Sequence, residues 1–129
     1  MVIIGGLTAT ETVHPFTYTL RTLIDIQVFD TNTATWIPTT GKGEIPTGRY
    51  LHAAVLGTDG ISIIVCCGRH TVETNLNDVA VLNTQSWIWT KPAVVGVLPT
   101  GRGSLSSVFK NGQMIIFFGM FEMRYLTHT

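Results

Sequence analysis

Arg49 and Arg102 each close the same four-residue string, Pro-Thr-Gly-Arg, at 46–49 and again at 99–102. A guanidinium carries five N–H donors and no acceptor, so such an arginine can clamp a carboxylate or tie down backbone carbonyls. Recurrence decides between these. A residue that returns in a repeated string serves the repeated unit, so both arginines are read as fastenings of loop carbonyls where one unit passes into the next. An anion clamp is the alternative.

The remaining chemistry-bearing residues form no reactive constellation. His14, His52, His70 and His128 show no metal-ligand spacing. His52 sits in an apolar stretch, where a hydrogen-bonded core histidine outranks a ligand. Cys66 and Cys67 are neighbours; on a strand they point to opposite faces, so two buried thiols are expected rather than a bond between them. The chain has no G-x-S-x-G elbow, paired carboxylates, P-loop or dinucleotide fingerprint. Gly41-Lys42-Gly43 and Gly101-Arg102-Gly103 read as linker turns, because no helix follows to make a phosphate cradle. No catalytic residue, metal or cofactor is expected.

Composition narrows the class further. The 129 residues suit one domain, net charge is zero, and 12% of residues are charged against about 25% in an average domain. Without a basic stripe, nucleic acid is excluded as a partner. Thr is the commonest residue, Val and Ile are well supplied, and Glu and Lys are scarce, which is strand composition. Mean hydropathy is +0.32, yet each apolar run falls far short of the ~18 residues of a spanning helix. The first residues, Met1-Val2-Ile3-Ile4-Gly5-Gly6, have no basic region or long apolar core, so no signal peptide is read and an intracellular protein is the default expectation.

These residues are positioned by a repeated unit. The 53-residue offset that relates the two Pro-Thr-Gly-Arg strings also relates Trp36 to Trp89, Thr31 to Thr84 and Asp30 to Asn83. Such periodicity means a repeat architecture. Three apolar runs end in glycine: Val2-Ile3-Ile4-Gly5-Gly6, Ile63-Ile64-Val65-Cys66-Cys67-Gly68 and Ile115-Ile116-Phe117-Phe118-Gly119. Strand-like stretches 50–56 and 104–110 precede the last two, joined by Gly57-Thr58-Asp59-Gly60 and by Asn111-Gly112, a strong hairpin signal. A third strand follows the glycines, at 24–29 and 79–82. Polar turns at Asp30 and Asn83 then lead to a fourth strand bearing Trp36 or Trp89. The unit is four antiparallel strands in about 50 residues. Copy A has strands two to four (2–39), copy B all four (49–91), and copy C strands one and two (104–119), nine strands in all. The runs of strand two do not alternate, so both faces should be covered, as in radially packed blades.

Laid out in this way, the unit resembles the kelch repeat. That resemblance rests on Arg49, His52, Cys67-Gly68, Asn83-Thr84 and Trp89 in copy B, and on Gly5-Gly6, Asp30-Thr31 and Trp36 in copy A. Copy C keeps Arg102 and Gly119, with Leu105 where the histidine belongs and Met120 for the second glycine. Residues 7–23 and 120–129 lie outside it. The sialidase Asp-box does not fit, since Thr31 and Thr33 stand where it needs Asp and Gly or Asn. The resemblance implies a partial, open kelch-type β-propeller, all-β, built of four-stranded antiparallel blades. Such propellers mostly bind other proteins through their loops, and a minority are enzymes or sugar-handling proteins. The copper centre of the kelch-like oxidases has no match here beyond the residue types of Tyr50 and His52. Two complete blade-equivalents and a remainder do not close a ring, so the chain is read as a fragment of a longer protein, with ring completion by association or an open propeller as alternatives.

Repetition also sorts scaffold from site. Trp36 and Trp89 recur and are read as inter-blade packing; Pro46 and Pro99 fix linker turns. What does not recur is the loop after strand two. At 68–77 it carries Arg69, His70 and Glu73; in copy A, at 7–23, it carries Glu11, His14, Phe16, Tyr18 and Arg21. Both loops should emerge on one face, and variable loops on a rigid scaffold are where binding resides. The expected function is a non-catalytic protein–protein interaction scaffold. Phe16, Tyr18, Arg21, Arg69, His70 and Glu73 are its candidate protein-binding residues, and open blade edges invite self-association. Loops without a partner are the plain alternative. The other is a piece of a kelch-like enzyme or carbohydrate-binding propeller whose site lies in further blades.

Overall fold

Each polar turn expected after a third strand forms around the side chain of its first residue. In the computed structural model, which describes residues 1–121, the Asn32 and Thr33 amides donate to Asp30 Oδ1 at 2.8 and 3.4 Å. The Gln85 and Ser86 amides donate to Asn83 Oδ1 at 2.9 and 3.0 Å. The carboxylate or amide oxygen thus satisfies two amides that the turn leaves unpaired. Ala34 and Trp87 follow with φ of 54° and 58°, so the copies match down to a left-handed residue.

Among the described residues twelve strands form. The first sheet has the order β1-β4-β5, from β1 (Val2–Ile3), β4 (Asp25–Asp30) and β5 (Thr35–Thr40). The central sheet runs β7 (Ala53–Leu56), β8 (Ser62–Cys66), β9 (Val79–Asn83) and β10 (Ile88–Thr90) as an antiparallel meander. The third is the hairpin of β11 (Ser106–Lys110) and β12 (Gln113–Phe117), turned by Asn111 and Gly112 at φ 52° and 75°. Two consecutive left-handed residues are what a two-residue hairpin turn requires, and Asn-Gly supplies them. These nine strands are the blade strands of a partial β-propeller.

Three details depart from the expectation. The linker strand β6 (Lys42–Gly43) pairs in parallel with β10, so the central sheet has five strands, not four. The stretch 7–23, read as loop, contains a hairpin of β2 (Leu7–Ala9) and β3 (Tyr18–Leu20). First strands begin later than 50 and 104, because Leu51 and Ser104 adopt φ of 54° and 55° and break the extended backbone.

The glycine endings repeat as a pair of left-handed residues. Gly5-Gly6 have φ of 66° and 94°, Cys67-Gly68 of 68° and 91°, and Phe118-Gly119 of 59° and 93°. Cys67 therefore leaves the strand. Its side chain abandons the alternation, and it meets Cys66 in a vicinal disulfide, which corrects the reading of two separate thiols.

The core lies between the first and central sheets. Leu23 and Ile26 pack against Val65, Ala80, Leu82 and Trp89, all buried. Trp89 is 0% exposed and donates Nε1 to the Leu23 carbonyl at 3.0 Å; its counterpart Trp36 is 54% exposed. The residue type is the same, and the difference is that among the described residues a neighbouring sheet packs on Trp89 and none on Trp36. Coverage of both faces holds for the end of β8, where Val65 and Cys66 are buried. It fails for β12, whose Ile115 and Phe117 are exposed because no sheet packs on that side among the described residues.

Candidate binding face

The Pro-Thr-Gly-Arg strings are fastened alike. Arg49 donates Nε to the Thr47 carbonyl and Nη1 to the Cys67 carbonyl, both at 3.1 Å. Arg102 donates Nε to the Thr100 carbonyl at 3.1 Å and Nη1 to the Phe118 carbonyl at 3.2 Å. Both therefore tie down loop carbonyls, as their recurrence indicates. Arg49 also grips Asp78, Nη1 to Oδ1 at 2.9 Å and Nη2 to Oδ2 at 2.8 Å. Burial works to raise the Asp78 pKa, but the hydrogen bonds and charge of Arg49 outweigh it and hold the carboxyl below its ordinary value. Sequence reasoning missed Asp78. Asp25, at the repeat offset, was the available signal.

Glycine in each string permits close approach. A Cβ at Gly48 would stand 2.8 Å from the Arg21 carbonyl, and one at Gly101 would stand 2.6 Å from that of Asn75. The linkers thus press against the loops that follow second strands. His70 Nδ1 lies 2.9 Å from the Gly48 carbonyl, so stretches 7–23 and 68–77 meet at one linker residue. Asn77 Nδ2 reaches the Pro99 carbonyl at 3.0 Å and seats the next linker on the same loop.

Of the six candidate residues, Arg21 through its backbone carbonyl and His70 through its ring both abut Gly48. Phe16 is exposed and packs its ring at a tilt against His14, ring centroids 4.2 Å apart; Tyr18, on β3, is 61% exposed. Glu73 is exposed in a turn held by Thr71, whose Oγ1 accepts from the Glu73 and Thr74 amides. Arg69 is not the exposed anchor its loop position suggests. It is 3% exposed, its backbone exchanges hydrogen bonds with Tyr50 at 2.8 and 2.9 Å, and its side chain lies against Gly103. Its Nη1 stands 3.5 Å from the Val72 carbonyl, while Nε and Nη2 and the neighbouring Asn75 Oδ1 are buried without partners among the described residues. His52 is half-buried; burial and then the charge of Arg49 push its pKa down, opposed by the Ile4 carbonyl. Among the described residues no three His, Cys, Asp or Glu side chains converge on a metal position. His128 lies outside the described residues.

The family model of the KLHDC2/KLHL20/DRC7 Kelch-repeats domain matches residues 1–128. The chain belongs to the kelch-repeat family. Curated relatives include dynein regulatory complex subunit 7 of Chlamydomonas reinhardtii, 38% identical over 78 residues, which are 60% of this chain and 7% of that protein. Kelch domain-containing protein 1 of Mus musculus is 38% identical over 81 residues, 60% of this chain and 19% of the relative. Acyl-CoA-binding domain-containing protein 4 of Arabidopsis thaliana is 33% identical over 86 residues, 67% of this chain and 13% of the relative. This kelch chain thus spans under a fifth of each of these relatives. Kelch-repeat domains are generally interaction modules, and among the described residues no helix is long and apolar enough to cross a membrane.

Proposed function

We propose that this kelch chain is a non-catalytic protein-interaction scaffold whose contact face is built by residues 7–23 and 68–77. The observation that carries this reading is their convergence on Gly48. The two stretches that escape the repeat share one end of the sheets and touch one linker residue. Phe16 and Tyr18 present aromatic surface at that end, Arg21 and His70 stand beside it, and Glu73 adds a negative rim. Aromatic and arginine side chains dominate interface energetics because they bury much area at little entropic cost. Arg69, beneath the loop, has two side-chain donors without partners among the described residues. The division into blades at 2–39, 49–91 and 104–119 belongs to this proposal. So does the partner class, since one relative is by name a subunit of a dynein regulatory complex.

The test replaces both stretches with short Gly/Ser turns and compares partner binding, with circular dichroism as the control for fold. Loss of binding by a folded variant supports the reading. Undiminished binding overturns it.

A further inference from the structure

Cys66 and Cys67 are the chain's two cysteines, and the bond between them sits at a crossing of the fold. The Cys67 carbonyl accepts from the buried Arg49 guanidinium at 3.1 Å, and the Cys67 amide donates to the Asp78 carbonyl at 3.3 Å. One residue on, the Gly68 amide donates to the Arg102 carbonyl and the Gly68 carbonyl accepts from the Leu76 amide, both at 2.8 Å. Two linkers and both ends of the stretch 68–77 are therefore anchored on the disulfide and the glycine after it.

The repeat shows what is particular to this copy. Gly5 and Phe118 take the place of Cys67 in the other two, with φ of 66° and 59° against its 68°. Glycine has no Cβ to accommodate, and Phe118 is 85% exposed, with room around its ring. Cys67 holds the same left-handed conformation at 0% exposure, beside Cys66 at 1%. In so closed a site the bond matters for packing, because two unbonded thiols need more room than one disulfide. Thiols here crowd their surroundings, and the readiest relief is movement of residues 67–68 and of the loop they anchor.

We propose that the Cys66–Cys67 bond is a redox-sensitive latch on the loop 68–77, closed when oxidised and released by a dithiol reductant. A thiolate of the reductant attacks one sulfur, the S–S bond breaks, and a mixed disulfide forms. The reductant's second thiol then attacks its own bound sulfur, and the reductant leaves as a cyclic disulfide. Two electrons and two protons have passed to the protein, and Cys66 and Cys67 end as thiols. Because the pair is buried, attack follows local opening of 68–77 rather than unfolding of the whole chain. Once reduced, the chain loses the hydrogen bonds of Gly68 to Arg102 and Leu76, and the loop is held less tightly. The latch acts on the loop itself and stands whether or not that loop is the contact face.

Amide hydrogen exchange of the intact chain, followed by NMR before and after treatment with dithiothreitol, tests this. When denatured, the untreated chain should take up iodoacetamide at neither cysteine and the reduced chain at both. Exchange at Gly68 and Leu76 should quicken about tenfold on reduction. Trp87, whose amide donates to the Asn83 carbonyl at the other end of the sheet, should keep its rate. Cys66→Ala and Cys67→Gly each remove the bond together with one sulfur, so neither variant should respond to the reductant. The proposal is overturned by alkylation without reductant, or by a bond that dithiothreitol leaves intact in the folded chain. Unchanged rates at Gly68 and Leu76, equal quickening at Trp87, or variants that respond as the parent does overturn it too.

Discussion

The Arg49 guanidinium faces the Asp78 carboxylate through two parallel hydrogen bonds of 2.9 and 2.8 Å, and it does so fully buried. Arg102 makes the same two carbonyl bonds, and no carboxylate accepts from it among the described residues. Removing the two arginines should therefore have unequal effects. Arg49→Ala strands Asp78 beside two unfilled carbonyl acceptors and is expected to cost about 3 kcal/mol. Arg102→Ala, at a more exposed site, should cost about 1 kcal/mol. Arg49→Lys should not restore stability, because an ammonium lacks the planar fork. Urea unfolding of the three variants checks the order.

Stability should fall in acid in two steps. His52 is pushed below its ordinary 6.5, so its contribution is intact above that value and is lost as pH falls through the depressed pKa. Asp78 is also held below its ordinary value, so its contribution disappears as pH drops below about 4. His52→Gln should flatten the upper limb and Asp78→Asn the lower one. Unfolding free energies that rise on acidification contradict both assignments.

The two repeat tryptophans should behave as different residues. Trp89→Ala opens a cavity between two sheets and removes the bond to Leu23, an expected loss of about 4 kcal/mol. Trp36 is 54% exposed and packs against Phe29, ring centroids 5.0 Å apart, and its alanine variant should cost about 1 kcal/mol. Thermal denaturation of the pair distinguishes them, and equal losses refute the inter-sheet account.

Backbone geometry yields a prediction of opposite sign. Phe118 is exposed with φ of 59°, a conformation that disfavours any Cβ, so Phe118→Gly should stabilise by about 1 kcal/mol. Gly48→Ala meets the Arg21 carbonyl and should destabilise by about 2 kcal/mol. Chemical denaturation of both variants tests the signs.

Strand order, the Asp30 and Asn83 turns, the Asn111-Gly112 hairpin and the carbonyl-tying role of Arg49 were legible because each recurs or depends on neighbours in sequence. The fifth strand β6 was not, since its partner β10 lies over forty residues away and two residues of Lys-Gly carry no strand signal. Nor was the Cys66–Cys67 bond, which depends on a left-handed residue at a position where the other copies hold glycine or phenylalanine. At the candidate face, the exposed aromatics could be read from a loop that fails to repeat. The burial of Arg69 could not, because it follows from packing against Gly103 of the next linker.

Partners of this kelch chain should contact the end of the sheets where 7–23 and 68–77 meet. Site-specific photo-crosslinking reads that contact out. A benzophenone side chain is placed at Tyr18, at His70, or at Thr58 in the turn joining β7 to β8 at the opposite end. Partner adducts should form from Tyr18 and His70 and be absent from Thr58. Adducts from Thr58 with none from the other two positions would contradict the account.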